Sequence, residues 1–140
     1  MNEMNKPKKK IVLIDDNTSF VDVLSRFLVV KKFEVFTAYN GTEGMKIVSK
    51  HMPDLILLDI MMPGLSGYEV CAKLKQVEKT KQIPIIFLTA RSRPEDIKKG
   101  FELGAAHYIT KPFNYPELIE GIKKVIGEFG SDCILVTMIL

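Results

Sequence analysis

Short apolar runs alternate five times with segments of helical period between residues 11 and 128. An apolar run without polar alternation is typical of a strand that is buried on both faces of a parallel sheet. Strands that alternate with helices form βαβ units, and these units place helices on both faces of the sheet. The predicted strands are Ile11–Ile14, Phe33–Ala38, Leu55–Leu58, Ile85–Leu88 and Tyr108–Ile109.

The segments after these runs carry apolar residues at helical spacing, and we expect those residues to face the core. Gly or Pro marks most joins between a run and a helix. Five such units predict an α/β fold of the flavodoxin-like (βα)5 type, a doubly wound parallel sheet with strand order 2-1-3-4-5. The helical sets are Phe20, Val23, Leu24, Phe27 and Leu28; Met45, Ile47 and Val48; Val70 and Leu74; Ile97, Phe101 and Leu103; and Leu118, Ile119, Ile122, Val125 and Ile126.

The length of 140 residues suits one domain, and 46% hydrophobic with 26% charged residues is ordinary for a soluble globular protein. We predict a flexible basic N-terminus over residues 1–8, a folded domain over 9–128 and an apolar C-terminal extension over 129–140. The role of the extension is left open between a remnant without function, a disordered tail, an added edge strand and a docking segment.

The net charge of +3 is mild and comes in large part from lysines ahead of the first strand. No aromatic residues interleave with these lysines, which argues against a nucleic-acid arm. No apolar stretch approaches the ~20 residues that a spanning helix needs. Two cysteines without metal-ligand spacing suggest reduced thiols. We therefore expect a cytoplasmic protein that binds neither a membrane nor nucleic acid directly.

Charged and hydroxyl side chains stand at the carboxyl ends of four runs: Asp15 and Asp16, Asp59, Thr89 and Lys111. Because the carboxyl ends of parallel strands meet at one edge, we expect these side chains to converge. Three close carboxylates need a cation, and oxygen ligands without His or Cys favour Mg²⁺. A hydroxyl and an ammonium bind phosphoryl oxygens well, and a carboxylate is a competent nucleophile for phosphate. The sequence therefore predicts a phosphorylation site.

Each of these residues also has a purely structural interpretation. An acid or Asn17 could cap the helix that begins near Thr18. Asp59 could be a turn residue. Thr89 is an ordinary strand former, and Lys111 could be solvent-exposed. Their coincidence at one sheet edge favours the functional interpretation.

In combination these motifs resemble the receiver domain of bacterial two-component response regulators over residues 9–128. Such a domain takes a phosphoryl group from a sensor histidine kinase or a histidine phosphotransfer protein. The resemblance implies that Asp59 is the phosphoacceptor of a signalling module. It would not be a conventional enzyme, although it assists its own phosphorylation and slow dephosphorylation. The motifs are Ile14-Asp-Asp-Asn, Leu58-Asp-Ile-Met-Met-Pro-Gly-Leu-Ser-Gly, Phe87-Leu-Thr-Ala and Gly104-Ala-Ala-His-Tyr-Ile-Thr-Lys-Pro-Phe.

The resemblance also implies a ligand set for Mg²⁺. Asp16, Asp59 and the backbone carbonyl of Met61 would hold the ion, and Asp15 would contribute through a water. Lys111 would bind a phosphoryl oxygen, and its peptide bond to Pro112 is expected to be cis, an arrangement tolerated before proline.

The resemblance assigns two further pairs of residues. Thr89 and Tyr108 match a switch pair: the hydroxyl moves toward the phosphoryl group and the ring moves inward. This change alters the surface of the fourth helix, fifth strand and fifth helix, where a downstream effector protein would bind. Met61 and Arg91 stand where the family tunes phosphoryl lifetime. Neither carries a carboxylate or amide to orient a water, so we predict slow self-hydrolysis.

Three alternatives to a stand-alone receiver remain. A haloacid-dehalogenase-type phosphohydrolase would carry Asp-x-Asp on its first strand, whereas Asp15 and Asp16 are adjacent and Asn17 stands where the second acid belongs. A pseudo-receiver that only binds partners would lack an acid, the threonine or the lysine, and none is missing. The chain could also be a receiver fragment of a longer regulator.

Overall fold

The computed structural model describes residues 7–127. Along this range strands and helices alternate from first to last, as the apolar pattern predicts. The predicted extension at 129–140 and most of the predicted basic N-terminus lie outside the described residues. The elements are β1 (Lys10–Ile14), α1 (Thr18–Val30), β2 (Glu34–Ala38), α2 (Gly41–His51), β3 (Leu55–Leu58), α3 (Gly67–Gln76), β4 (Ile85–Thr89), α4 (Pro94–Glu102), β5 (His107–Thr110) and α5 (Tyr115–Ile126).

The strands form one parallel sheet in the order β2-β1-β3-β4-β5, which confirms the predicted topology. Ile14 at the end of β1 pairs with Leu58 at the end of β3, and the Asp59 amide donates to the Ile14 carbonyl at 3.0 Å. Because β1 and β3 end in register, the residues that follow them, Asp15 and Asp59, come side by side.

Alternate residues of the central strands enter two separate core layers. In β3, Ile56 and Leu58 face the layer that contains α2, α3 and α4 residues, whereas Leu55 and Leu57 face the layer of α1 and α5. All four β3 side chains are fully buried. Burying one such side chain contributes about 1.5–3 kcal/mol to the stability of the fold. A central strand that is covered on both faces therefore favours an uninterrupted apolar run.

Two residues that helical spacing placed in the core are in fact exposed. Val23 of α1 is 57% exposed, and its neighbour Val21 is buried. Phe101 of α4 is 46% exposed, because α4 turns Gly100 toward the sheet. A Cβ on Gly100 would lie 3.0 Å from the Tyr108 ring, so this glycine lets the helix approach the ring closely. On α1 and α4 the apolar stripe is therefore wider than the face that the sheet covers.

The ends of several strands also differ by a residue from the predicted ones. β1 begins at Lys10, β2 begins at Glu34, and β4 continues to Thr89. β5 runs from His107 to Thr110 because polar residues at its ends still join the ladder with β4. Of the helices within residues 7–127, none has both the length and the apolar character needed to cross a bilayer.

Candidate functional site

Three carboxylates meet at the carboxyl edge of the sheet, as predicted. One oxygen from each of Asp15, Asp16 and Asp59 lies within 4.8 Å of the others. Asp15 and Asp59 are buried, at 1% and 7% exposure, and Asp16 is exposed. The Asn17 amide donates to Asp15 Oδ1 at 2.9 Å, and the Met61 amide donates to Asp59 Oδ1 at 3.3 Å. These hydrogen bonds from backbone amides hold the carboxylates of Asp15 and Asp59 close together at the sheet edge.

The N-cap of α1 is Asn17 and not one of the acids. Its side-chain oxygen accepts the Phe20 amide at 3.1 Å, and the helix begins at Thr18. An asparagine at this position satisfies a free amide of the first turn. The capping interpretation of Asp15 and Asp16 is therefore wrong, and another explanation is needed for two acids at the strand end.

Lys111 reaches the acids from the end of β5. Its ammonium donates to Asp15 Oδ2 at 2.6 Å and lies 3.8 Å from Asp59 Oδ2. The Lys111–Pro112 peptide bond is cis, as predicted. The solvent-exposed interpretation of Lys111 is wrong, since its side chain is only 21% exposed.

The pKa of Asp59 is raised above its ordinary value of 3.8. Burial is the main cause, and the charge of Asp15 adds to it. The Lys111 ammonium opposes the rise, as do hydrogen bonds from the Thr89 hydroxyl and the Met61 amide. Burial therefore disfavours the ionised form of the Asp59 carboxylate, and a nearby cation would favour it.

The acids fit a divalent cation. When all three are ionised, their three negative charges and the one positive charge of Lys111 leave two negative charges. The donor atoms are hard oxygens within 4.8 Å of one another. This combination suits Mg²⁺, which binds through one or two carboxylates and keeps several waters. Asp15, Asp16 and Asp59 are the side chains that would hold it.

Thr89 and Tyr108 lie on the neighbouring strands β4 and β5, and the Thr89 hydroxyl hydrogen-bonds to Asp59. Thr89 is fully buried, and its hydroxyl oxygen accepts the Arg91 amide at 3.3 Å. The Tyr108 ring is 9% exposed and packs 5.9 Å from the Phe87 ring, measured between centroids. Its hydroxyl donates to the Arg91 carbonyl at 2.8 Å. The two residues predicted as a switch pair are therefore joined through the backbone of one residue.

Met61 and Arg91 both line a groove of about 550 Å³ beside the acids. Met61 is 54% exposed. The Arg91 guanidinium lies 3.3 Å from an oxygen of Asp96 in α4, an acid that is only 6% exposed. A hydrogen bond from Arg93 is the main cause that lowers the pKa of Asp96. Arg91 is thus directed toward α4.

Sequence reasoning missed two contributors to this region. The first is Asp96. An arginine three residues before it is a weak indication of an ion pair, but nothing in the sequence predicts its contacts with Arg91 and Tyr68. The Tyr68 hydroxyl donates to the Asp96 carbonyl at 2.9 Å, which joins α3 to α4. Helical spacing places Phe20 in the core, yet the Lys111 ammonium lies 4.0 Å from the centre of its ring.

Comparison with known proteins agrees with this geometry. The family model described as response regulator receiver domain matches residues 11–123. The chemotaxis protein CheY4 of Vibrio cholerae is 30% identical, with a TM-score of 0.81 over 85% of this chain and 99% of that chain. A putative response regulator of Chloroflexus aurantiacus is 31% identical, with a TM-score of 0.82 over 87% of this chain and 100% of that one.

An activated relative shares the same fold. The BeF3-activated N-terminal receiver domain of Klebsiella pneumoniae RstA is 27% identical, with a TM-score of 0.80 over 86% of this chain and 100% of that chain. The family match spans most of the chain, and the acids, the threonine and the lysine meet at one sheet edge. The chain therefore belongs to the receiver domain family of two-component response regulators.

Proposed function

We propose that this receiver domain accepts a phosphoryl group on Asp59 from a phosphohistidine, in a reaction that requires Mg²⁺. The donor is a sensor histidine kinase or a histidine phosphotransfer protein in the cytoplasm. The observation that carries the proposal is the Lys111 ammonium between Asp15 and Asp59, with a third carboxylate beside them. The domain acts as a signalling module, and its output is a protein partner, with no direct contact to nucleic acid or membrane.

Phosphoryl transfer depends mainly on positioning the reacting groups and on stabilising the charge of the phosphoryl oxygens. An oxygen of the Asp59 carboxylate forms the new P–O bond as the P–N bond of phosphohistidine breaks, and the electron pair returns to the imidazole nitrogen. Lys111 moves from Asp15 to a phosphoryl oxygen, and the Thr89 hydroxyl donates to another. Asp16, Asp59 and the Met61 carbonyl would hold Mg²⁺, with Asp15 contributing through a water, and the ion would supply positive charge that stabilises the phosphoryl oxygens.

The same contacts support a switch. Thr89 accepts the Arg91 amide and Tyr108 donates to the Arg91 carbonyl, so a shift of the Thr89 hydroxyl is transmitted to the ring through one residue. The Tyr108 ring is 9% exposed and lies against Gly100, where a Cβ would be 3.0 Å from the ring. We propose that phosphorylation favours this position and thereby changes the surface of α4, β5 and α5, where the effector protein binds.

A phosphodonor assay tests the function. The full chain is incubated with phosphoramidate in Mg²⁺ or in EDTA, and the label is located by peptide mass spectrometry. We expect one phosphoryl group per chain, on Asp59. Metal ions supply several kcal/mol of charge stabilisation, so EDTA should slow labelling by on the order of 10²-fold or more.

Other outcomes of this assay would contradict the proposal. Continuous turnover of small phosphate esters would favour a phosphohydrolase of the haloacid dehalogenase type. A chain that folds and binds Mg²⁺ but takes no label would favour a pseudo-receiver. A label at any residue other than Asp59 would remove the acceptor assignment.

The phosphoryl group should be lost slowly, because neither Met61 nor Arg91 offers a group that orients an attacking water. After the donor is removed, we expect a half-life of minutes or longer. Arg91→Gln introduces an amide at that position and should shorten the half-life by roughly tenfold, a change of about 1.4 kcal/mol in the barrier. Arg93→Gln, two residues along the chain, is the matched control. A wild-type half-life of only seconds would contradict this prediction.

A further inference from the structure

The Lys111 ammonium lies against an aromatic ring as well as the two acids. The ring belongs to Phe20, in the first turn of α1, and its centre is 4.0 Å from Nζ. A cation within about 6 Å of a ring centre, over its face, is attracted by the negative face of the π system. Helical spacing explains why Phe20 is apolar, but it does not explain why the side chain is an aromatic ring.

Other parts of the site hold the ring in place. Asn17 accepts the Phe20 amide at 3.1 Å and thereby ties this residue to the segment that carries Asp15 and Asp16. Phe113 meets the ring edge to face, with centroids 6.2 Å apart and planes at 89°. Since Phe113 follows Lys111 by two residues, Phe20 is anchored from both sides of the site.

The ring matters because Lys111 has to change partners. Its ammonium is 2.6 Å from Asp15 and 3.8 Å from Asp59, so it leaves its shorter contact to meet a phosphoryl oxygen on Asp59. A lysine side chain has high rotamer freedom, and a free one would spend time in solvent during that exchange. Attraction to a ring face extends to about 6 Å from the ring centre, so it can persist while the ammonium moves between the carboxylates.

We infer that Phe20 is a positioning residue for phosphoryl transfer, and that it acts by holding the Lys111 ammonium over its ring. The inference rests on the proposed function of Asp59. In this role Phe20 acts through the Lys111 ammonium and not by contact with the phosphoryl group. Its effect therefore depends entirely on the presence of the lysine.

The test compares initial labelling rates with phosphoramidate at saturating Mg²⁺. Phe20→Leu removes the π face and should lower the rate roughly fivefold, whereas Phe20→Tyr keeps the ring and should restore it. Phe27→Leu is the matched control, because Phe27 lies on the same helix and stacks on Tyr115, away from Lys111. Mg²⁺ affinity, measured by isothermal titration calorimetry, should be the same in all variants.

A double-mutant cycle distinguishes positioning from general loosening of the helix. In a Lys111→Ala background, Phe20→Leu should cause no further loss of rate. An equal loss with and without the lysine, a normal rate for Phe20→Leu, or a Phe20→Tyr rate as low as that of Phe20→Leu would overturn the inference. If thermal unfolding shows that Phe20→Leu does not fold, Phe20→Met takes its place with the same expectations.

The assay distinguishes failure of the proposed function of Asp59 from failure of the proposed role of Phe20. A wild-type chain that takes no label removes the proposed function and the role of Phe20 together. A wild-type chain labelled on Asp59, with Phe20→Leu labelled at the same rate, removes only the role of Phe20.

Discussion

We expect Asp59→Asn to abolish incorporation of the phosphoryl group, because the amide lacks the ionised oxygen that would form the proposed P–O bond. The fold remains, since Asn has nearly the same shape and the Met61 amide keeps an oxygen to bond. Labelling with phosphoramidate and Mg²⁺, read by intact mass, should fall to the background of the assay. Asp22→Asn is the matched control, because Asp22 lies exposed on α1 and pairs with Arg26. Wild-type labelling of Asp59→Asn would contradict the acceptor assignment.

We also expect Asp59→Asn to change the thermal stability of the chain. Burial raises the pKa of Asp59 above 3.8, so the ionised carboxylate is less favourable in the folded chain than in the unfolded chain. The stability linked to this group is present below pH 3.8 and is lost as the pH rises through the folded-state pKa. At neutral pH without divalent metal, Asp59→Asn should therefore melt at or above the temperature of the wild type. Added Mg²⁺ should stabilise the wild type more than the variant.

Gly67→Ala should be strongly destabilising. A Cβ at this position would meet the Asp59 carbonyl oxygen and lie 2.7 Å from Cα of Ile60. Both are backbone atoms at the end of β3, and Gly67 itself donates to the Ile60 carbonyl at 2.9 Å. The strand end cannot move without disturbing its neighbours, so α3 has to shift. We expect a loss of about 2–3 kcal/mol in the free energy of unfolding, measured by urea denaturation.

The labelling rate of Gly67→Ala should fall as well, because the clash involves the backbone of Asp59, the proposed phosphoacceptor. Lys73→Ala, at an exposed position on the same helix, is the control and should change stability by less than about 0.5 kcal/mol. A Gly67→Ala chain as stable as the wild type would show that the start of α3 is free to move away from β3.

The fold could be predicted in advance because its signals are local. The short apolar run from Leu55 to Leu58, which follows the breaker Pro53, favoured a strand buried on both faces of a parallel sheet. The acids at 15, 16 and 59 could be predicted as a cluster for a related reason. Parallel strands end at a common edge, so sequence positions at strand ends translate directly into proximity.

The buried faces of the helices were less predictable. Val23 fits the same helical spacing as Leu24 and Leu28, yet it is exposed and Val21 is buried. Periodicity identifies an apolar stripe, but its width exceeds the covered face on α1. Only the packing of the helix on the sheet determines which edge of the stripe is covered.

The sequence by itself determined which chemical groups stand at the sheet edge and in what order the strands carry them. It could not determine which of those groups contact one another. Asp15 and Lys111 are 96 residues apart, and the 2.6 Å contact between them depends on how β1 and β5 are placed by the strands between them. The ring of Phe20 over that ammonium depends in addition on the cap that starts α1. Contacts of this kind require several elements to pack together, so no local sequence pattern predicts them. They are determined by the tertiary structure alone.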